Sequence, residues 1–252
     1  MSELATLNST GRIATLTLNR PEARNSLSLD LLAALHRRID ELERSSNVSV
    51  LSITGEGKAF CAGMDLKAVL SDPTLPHKLL SSLADLCLRI RRLPMVTVAK
   101  VNGAAIGGGC GLATVCDLAI THADSKMGFP EVDLGVCPAV VAPWLVRKIG
   151  PGRARQILLS GGLMSGQQAF DIGIVNVVVP TRGDLDAAAT ETSERLAKGG
   201  PNALRATKAL LNDLDHSLDE DLGKRAAALS AQVLSTPEAQ EMLRKKLSES
   251  RS

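Results

Sequence analysis

Two spacings of apolar residues recur in turn along residues 1–180, one typical of strands and the other of helices. Residues 13–18 alternate between apolar and polar, which predicts a short strand, while Leu31, Leu35, Ile39 and Leu42 recur at helical spacing. The same reasoning predicts strands at 48–53, 96–101, 118–121 and 174–179 and helices at 77–93, 140–149, 152–159 and 165–172. Strands alternating with helices predict an α/β fold.

The pattern changes at Pro180, after which only helical spacings remain. Helices are predicted at roughly 184–198, 201–211, 218–234 and 237–247. We therefore expect an α/β core over residues 1–180 and a C-terminal helical region over 181–252, which would act as a lid or as an oligomerisation surface.

The charge balance and the aromatic content argue against a nucleic-acid partner. Lys and Arg number 29 against 27 Asp and Glu, so no strong field attracts a phosphate backbone or an anionic membrane. Three Phe, one Trp and no Tyr leave few platforms for stacked bases. We expect neither nucleic acid nor a membrane as a partner.

The cysteines and the N-terminus favour a reducing compartment. The five cysteines are odd in number, scattered and mostly set among apolar neighbours, and they show no metal-ligand spacing. The N-terminus lacks a basic stretch followed by an apolar core, and no apolar run approaches the roughly 18 residues of a membrane span. The sequence therefore predicts a cytoplasmic protein without a metal site.

A glycine run between a predicted strand and a predicted helix is the strongest local signal. Residues 101–117 read VNGAAIGGGCGLATVCD, and Gly107-Gly108-Gly109 carries no side chains, so another group must approach the backbone closely. We expect the helix to begin at about Leu112. The unpaired N–H groups and the dipole of a helix N-terminus favour negative charge, so this stretch predicts an anion-receiving site.

The kind of anion is narrowed by elimination. A phosphate-binding loop needs Lys and then Ser or Thr after its last glycine, whereas Cys110 and Gly111 follow Gly109. No start within the run satisfies GxGxxG, so a dinucleotide site is not predicted. Two interpretations remain: an oxyanion hole, in which backbone N–H groups stabilise charge that develops on a carbonyl oxygen, and a glycine-rich packing turn.

Several ordered motifs together resemble the enoyl-CoA hydratase/isomerase family, the crotonase superfamily, from about Ile13 to Pro180. They are LTLNRPEARNSLS, GKAFCAGMDLK, VNGAAIGGGCGLATVCDLAI and MGFPEVDLG. The resemblance implies a crotonase-like spiral of ββα units with a C-terminal helical trimerisation region. It also implies acyl-CoA thioester substrates, no cofactor apart from the coenzyme A of the substrate, and a homo-oligomer that is a trimer or a dimer of trimers.

Carried over position by position, the resemblance assigns roles to individual residues. The backbone N–H groups of Met64 and Gly108 hold the thioester oxygen, and Glu131 acts as the general acid/base. The acyl-CoA strip comprises Arg24, Ala62, Met64, Asp65, Leu66, Lys67 and Gly108, with Arg24 close to the CoA phosphates. Asp133 is a rival carboxylate to Glu131, whereas Asp65 and Asp117 are expected to cap or brace loops.

The sequence departs from the two-glutamate pattern of the hydratases at Gly111, which stands where the first glutamate would be. One carboxylate suffices to move a proton in a 3,2-enoyl-CoA isomerase, whereas hydration also requires a water to be oriented. The segment from Gly135 to Pro143 nevertheless resembles branched-chain hydratases of the methylglutaconyl-CoA type.

Three functional hypotheses follow. Hydration of a 2-enoyl-CoA is the first, 3,2-enoyl-CoA isomerisation by a single Glu is the second, and a non-catalytic acyl-CoA-binding scaffold is the third. If Gly111 limits hydration, Gly111→Glu is expected to raise activity, provided that the helix has room for the new side chain.

Overall fold

The computed structural model describes residues 3–72 and 74–249, and it divides the described strands between two sheets. The larger sheet has the order β1-β2-β3-β5-β7-β10, and all its pairings are parallel except that of β1 with β2. Its strands are β1 (Ala5–Thr10), β2 (Ile13–Leu18), β3 (Val50–Gly55), β5 (Val96–Val101), β7 (Leu118–His122) and β10 (Val177–Val179).

The smaller sheet has the order β4-β6-β8-β9 and consists of three-residue strands. The first two pairings are parallel and the third is antiparallel. The strands are β4 (Ala59–Cys61), β6 (Ala104–Ile106), β8 (Lys126–Gly128) and β9 (Leu163–Ser165). Each of β4, β6 and β8 follows closely on a strand of the larger sheet, so the chain moves repeatedly from one sheet to the other.

Helices fill the connections and the C-terminal part of the described chain. They are α1 (Leu29–Glu43), α2 (Leu66–Ser71), α3 (Leu75–Arg92), α4 (Gly108–Val115), α5 (Ala142–Ile149), α6 (Pro151–Ser160), α7 (Gly166–Asp171), α8 (Leu185–Ala197), α9 (Pro201–Leu214), α10 (Glu220–Leu234) and α11 (Pro237–Glu249).

The predicted α/β class is confirmed, and so is the helix predicted from the spacing of its leucines. Ser28 caps α1 by accepting a hydrogen bond from the Leu31 N–H, and Leu31, Leu35, Ile39 and Leu42 are all buried. The strand predicted at 13–18 is β2, and those predicted at 96–101 and 118–121 are β5 and β7 within one residue.

Two predicted helix starts were wrong, the strands predicted at 48–53 and 174–179 are shifted to Val50–Gly55 and Val177–Val179, and five strands (β1, β4, β6, β8 and β9) were missed. The helix after the glycine run begins at Gly108 rather than at about Leu112, because tertiary packing overrides the low helix propensity of glycine. The helix predicted at 140–149 begins at Ala142, with Pro143 in its first turn. The strands β1 and β6 lack a clear apolar alternation and form by pairing with neighbours that the sequence pattern does not reveal.

The C-terminal helices pack on the α/β part of the chain. The helix α8 covers one face of the larger sheet, where Leu185 and Ala189 join Val50, Val98 and Ile120 in a small apolar cluster. The helix α10 packs along α3, and α11 contacts α2. None of the helices in the described ranges is both long enough and apolar enough to cross a membrane.

Candidate active site

The stretch around β4 (residues 58–63) and the stretch that leads through β6 into α4 (residues 103–109) pack backbone against backbone. A Cβ atom at Gly109 would lie 2.1 Å from the Cys61 carbonyl oxygen, and one at Gly103 would lie 2.1 Å from that of Lys58. A Cβ at Gly63 would lie 2.8 Å from the Ile106 carbonyl oxygen. No side chain fits at these contacts, so the glycines are what allow the two stretches to come together.

Met64 presents its backbone N–H away from its neighbouring strand. Leu27 forms an isolated parallel bridge with Met64, in which the Leu27 N–H donates to the Gly63 carbonyl and the Asp65 N–H donates to the Leu27 carbonyl. Because a parallel bridge uses the flanking residues of one strand, the N–H of Met64 itself points to the opposite side. It is therefore available to a ligand.

Gly108 supplies the second backbone donor. It is the first residue of α4, so its N–H has no carbonyl one turn earlier in the helix to bind, and the helix dipole adds positive potential there. A Cβ at Gly108 would lie 3.0 Å from side-chain atoms of both Leu27 and Leu83. The apolar contacts on either side hold this helix end in place.

Met64, Gly108 and Glu131 line one cavity, which we call the chamber. It is small, with a cavity volume of about 30 Å³, and the surrounding empty space reaches about 310 Å³ only when space open to solvent is counted. The remaining lining residues are mostly apolar and come from α3, α10 and the segment before α5; they are Leu80, Leu83, Val136, Cys137, Pro138, Val140, Val141 and Ser230. The three residues that were predicted to be catalytic therefore face the same small space.

The carboxyl group of Glu131 lies over Gly107 in a desolvated position. A Cβ at Gly107, where φ is +54°, would lie 3.0 Å from Oε1 of Glu131. Oε2 is buried and has no hydrogen-bond partner among the described residues. Burial raises the pKa of Glu131 from 4.5 to about 7, and the negative charge of Asp133 adds to the rise. Near neutral pH this group is able both to accept and to donate a proton.

The other candidate carboxylates have structural partners. Asp65 accepts hydrogen bonds from Arg20 Nη1 at 2.9 Å and from the Ala68 N–H at 3.4 Å, so it caps α2. The carboxylate of Asp117 pairs with Arg91 and Lys208. Asp133 accepts a hydrogen bond from the Gly162 N–H at 2.7 Å, which turns it towards the α6–β9 turn. None of the three lines the chamber.

The residues predicted to bind CoA form a connected strip beside the chamber. The Ala62 N–H donates to the Arg24 carbonyl at 3.0 Å, which joins the two stretches. Arg24 and Lys67 are exposed, while Ala62, Asp65 and Leu66 are half-buried. None of these five residues lines the chamber itself, so the strip lies outside the chamber.

The space beside Gly111 is filled by Val141. A Cβ at Gly111 would lie 2.3 Å from Cγ1 and 3.1 Å from Cβ of Val141, whose side chain is buried. A glutamate therefore does not fit at position 111 as the chain stands. The rise in activity predicted for Gly111→Glu required room for the new side chain, and that room is absent. The sequence carried no sign of this contact, because the two residues lie on different helical elements.

The two buried cysteines near the glycine run do not supply a thiolate. Burial raises the pKa of the Cys61 thiol to about 12 and raises that of Cys110 as well, so both are neutral at physiological pH. Within the described ranges no three His, Cys, Asp or Glu side chains are grouped so that they could hold a metal ion.

Comparisons with known proteins agree on one family. The sequence profile described as Enoyl-CoA hydratase/isomerase matches residues 8–250. The chain is 34% identical over 212 residues to the 2,3-dehydroadipyl-CoA hydratase of Escherichia coli, covering 84% of this chain and 82% of that protein. It is 33% identical over 220 residues to the short-chain-enoyl-CoA hydratase of Clostridium acetobutylicum, covering 84% of each chain. The crystal structure of an enoyl-CoA hydratase from Mycobacterium avium superposes with a TM-score of 0.88 at 28% identity, covering 99% of this chain and 98% of that one.

The raised pKa of Glu131 predicts a specific dependence of stability on pH. Between about pH 4.5 and pH 7 the folded state binds more protons than the unfolded state, so stability falls as the pH rises through this window. Glu131→Gln removes the effect. From pH 5 to pH 8 the free energy of unfolding of the wild type should fall by about 3 kcal/mol relative to that of the variant.

Chemical denaturation of both proteins across this pH range measures the difference. Glu191→Gln, at an exposed position on α8, is the matched control and should follow the wild type at every pH. Parallel stability curves for the wild type and Glu131→Gln would contradict the assignment of a desolvated carboxyl group.

The contact between Gly111 and Val141 predicts a compensating pair. Gly111→Ala places a methyl group against Val141 Cγ1 and should destabilise the protein by about 2 kcal/mol. Val141→Ala removes that atom, so the double variant should recover most of the loss. Gly152→Ala, on α6 with open space around the new Cβ, is the control and should cost nothing. A double-mutant cycle in urea checks this, and additive losses would refute it.

Proposed function

Because the chain belongs to the enoyl-CoA hydratase/isomerase family, we propose that Glu131, Met64 and Gly108 carry out the hydration of a 2-enoyl-CoA thioester. The observation that supports this most directly is their convergence on one chamber, which Met64, Gly108 and the desolvated carboxyl group of Glu131 all line. The protein is accordingly an enzyme of the hydratase/isomerase type.

The reaction follows from the charges that must be moved. As a water oxygen adds to C3, the electron pair of the C2–C3 double bond shifts towards the thioester oxygen, which becomes negative. The N–H groups of Met64 and Gly108 stabilise that charge, and removing one such donor typically costs about 3 kcal/mol in other enzymes. Glu131 takes a proton from the water and gives one to C2, so a single residue carries out both proton transfers.

A pKa near 7 suits this double role. A carboxyl group at its ordinary pKa would be ionised at neutral pH and would be a poor donor to carbon, whereas Glu131 populates both forms. The same argument supports the second candidate, the 3,2-enoyl-CoA isomerase, in which Glu131 removes a proton from C2 of a 3-enoyl-CoA and returns it to C4 without water. The apolar contact between Gly111 and Val141 favours this alternative, because it leaves no second carboxylate to orient a water.

The substrate-binding roles of Arg24, Ala62, Asp65, Leu66 and Lys67 belong to the same proposal. Their position beside the two backbone donors suits a thioester whose CoA part lies along the strip and whose acyl part enters the chamber. Asp65 acts indirectly, by capping α2 and by pairing with Arg20.

Free cysteines, four of them buried, suit a reducing cytoplasm.

The C-terminal region 181–252 is proposed to form the contacts of a homo-oligomer, a trimer or a dimer of trimers. On α9 the usual arrangement of a surface helix is reversed, since Lys208 and Asn212 are buried against the rest of the chain. Leu210, Leu211 and Leu214 are 57%, 54% and 68% exposed. An apolar helix face turned to solvent marks an interaction surface, and a second copy of the chain is the occupant that fits a self-associating region.

The catalytic proposal predicts that Glu131→Gln lowers turnover by about two to four powers of ten while acyl-CoA binding is retained. The assay follows crotonyl-CoA, 3-methylglutaconyl-CoA and a 3-enoyl-CoA, with hydration and isomerisation products measured separately. Glu191→Gln, the same chemical change at an exposed position on α8, is the matched control and should leave kcat nearly unchanged.

Each outcome of that assay bears on a different part of the proposal. Preference for the 3-enoyl-CoA would favour the isomerase, and preference for 3-methylglutaconyl-CoA would favour the branched-chain hydratase. Equal rates for the wild type and Glu131→Gln would exclude Glu131 as the catalyst. Tight binding without turnover of any of the three would favour the scaffold hypothesis.

The oligomer proposal predicts that Leu211→Asp/Leu214→Asp dissociates the wild-type assembly into monomers that keep their circular dichroism spectrum. Asn202→Asp/Ala209→Asp adds the same charge to exposed positions of α9 away from the leucine face, and should leave the assembly intact. Analytical ultracentrifugation measures the molar masses. A monomeric wild type, or leucine variants that still assemble, would count against this surface.

A further inference from the structure

The chamber and a second cavity have one lining residue in common. Val140, which is buried, lines the chamber on one side and the second cavity on the other. That second cavity lies between α3, α5 and α10, and its walls include Ala84, Leu88, Pro143, Trp144, Leu222 and Ala226. Arg147, Ser217 and Asp219 line it as well, so the space next to Val140 has both apolar and polar walls.

The second cavity leads on towards the surface. A third cavity shares Ala84, Leu88 and Gly223 with it and continues between α3 and α10. Polar residues line the third cavity as well, among them His77 and Lys224. The three cavities are therefore neighbours, with Val140 between the first and the second and with Ala84, Leu88 and Gly223 common to the second and the third.

The backbone that carries Val140 is held by hydrogen bonds. The Ala139 N–H donates to Ser230 Oγ at 3.1 Å, and Ser230 Oγ donates to the Cys137 carbonyl at 2.7 Å. The Pro138 carbonyl accepts from the N–H groups of Val141 and Ala142. Ser230 is buried on α10, so this helix fixes the segment between Cys137 and Ala142. Val140 is therefore a rigid partition.

We propose that Val140 is the specificity-determining residue that confines the substrate to short acyl chains, and that the cavity behind it accepts a longer chain once Val140 is shortened. The proposal rests on the function proposed above, in which the CoA part lies along the strip of Arg24 to Lys67 and the acyl part points into the chamber. In that orientation we place the end of the acyl chain against Val140, which lines the chamber and is not part of the strip. The preferred substrate class is a short-chain 2-enoyl-CoA such as crotonyl-CoA.

The test compares kcat/KM for crotonyl-CoA and 2-octenoyl-CoA. The wild type should prefer crotonyl-CoA, and Val140→Ala should raise the ratio of octenoyl to crotonyl activity by about tenfold or more, since a few methylene groups in an apolar pocket carry effects of that size. Ala84→Leu fills the cavity behind Val140. It should abolish the gain when combined with Val140→Ala, and by itself it should leave crotonyl-CoA turnover unchanged.

Binding of butyryl-CoA and octanoyl-CoA, measured by calorimetry on the same four proteins, separates this inference from the proposed reaction. The same change in chain-length preference in binding would support Val140 as the partition even if no hydration occurred. An unchanged preference in a folded Val140→Ala protein would overturn it, as would a wild type that binds and turns over octenoyl substrates as well as short ones. Absence of turnover with chain-length-dependent binding would count against the proposed reaction alone.

Discussion

The site depends on the close approach of two backbones. The stretch around β4 and the stretch that leads through β6 into α4 meet at Gly63, Gly103 and Gly109, where a Cβ atom would lie within 2.1–2.8 Å of a carbonyl oxygen. Such distances are far below any ordinary contact, so even alanine would force the two segments apart. Because the donors of Met64 and Gly108 sit on these two segments, their separation is set by the packing of glycines rather than by any catalytic side chain.

Folding gives Asp65 and Asp117 structural partners and leaves the carboxyl group of Glu131 for chemistry. Asp65 and Asp117 are fully engaged with cations and backbone N–H groups, whereas Glu131 has a buried oxygen without a partner among the described residues. Burying an unpaired carboxyl group is costly, and the cost appears as the raised pKa. A protein keeps such a group where it is useful, and near pH 7 this one is poised for proton transfer.

The C-terminal helices take part in the site as well as in the surface. Ser230 on α10 fixes the segment that carries Val140, so one wall of the chamber depends on a residue within the predicted region 181–252. On α9 the polar side chains of Lys208 and Asn212 face inwards, which leaves the leucines outside. A helix of this kind is incompletely buried in a single chain. The same region therefore connects the proposed assembly with the shape of the chamber.

The sequence by itself determined the elements and motifs that are local in the chain. The alternation of residues 13–18, the leucine face of α1 and the glycine run each lie within one stretch, as does the motif that contains Glu131, so spacing and residue type suffice to identify them. Only the tertiary structure decided that α4 begins at Gly108, that Val141 occupies the space beside Gly111, and that Val140 divides two cavities. These features arise from contacts between distant segments, and the energy of such packing is not encoded in the periodicity of either segment alone.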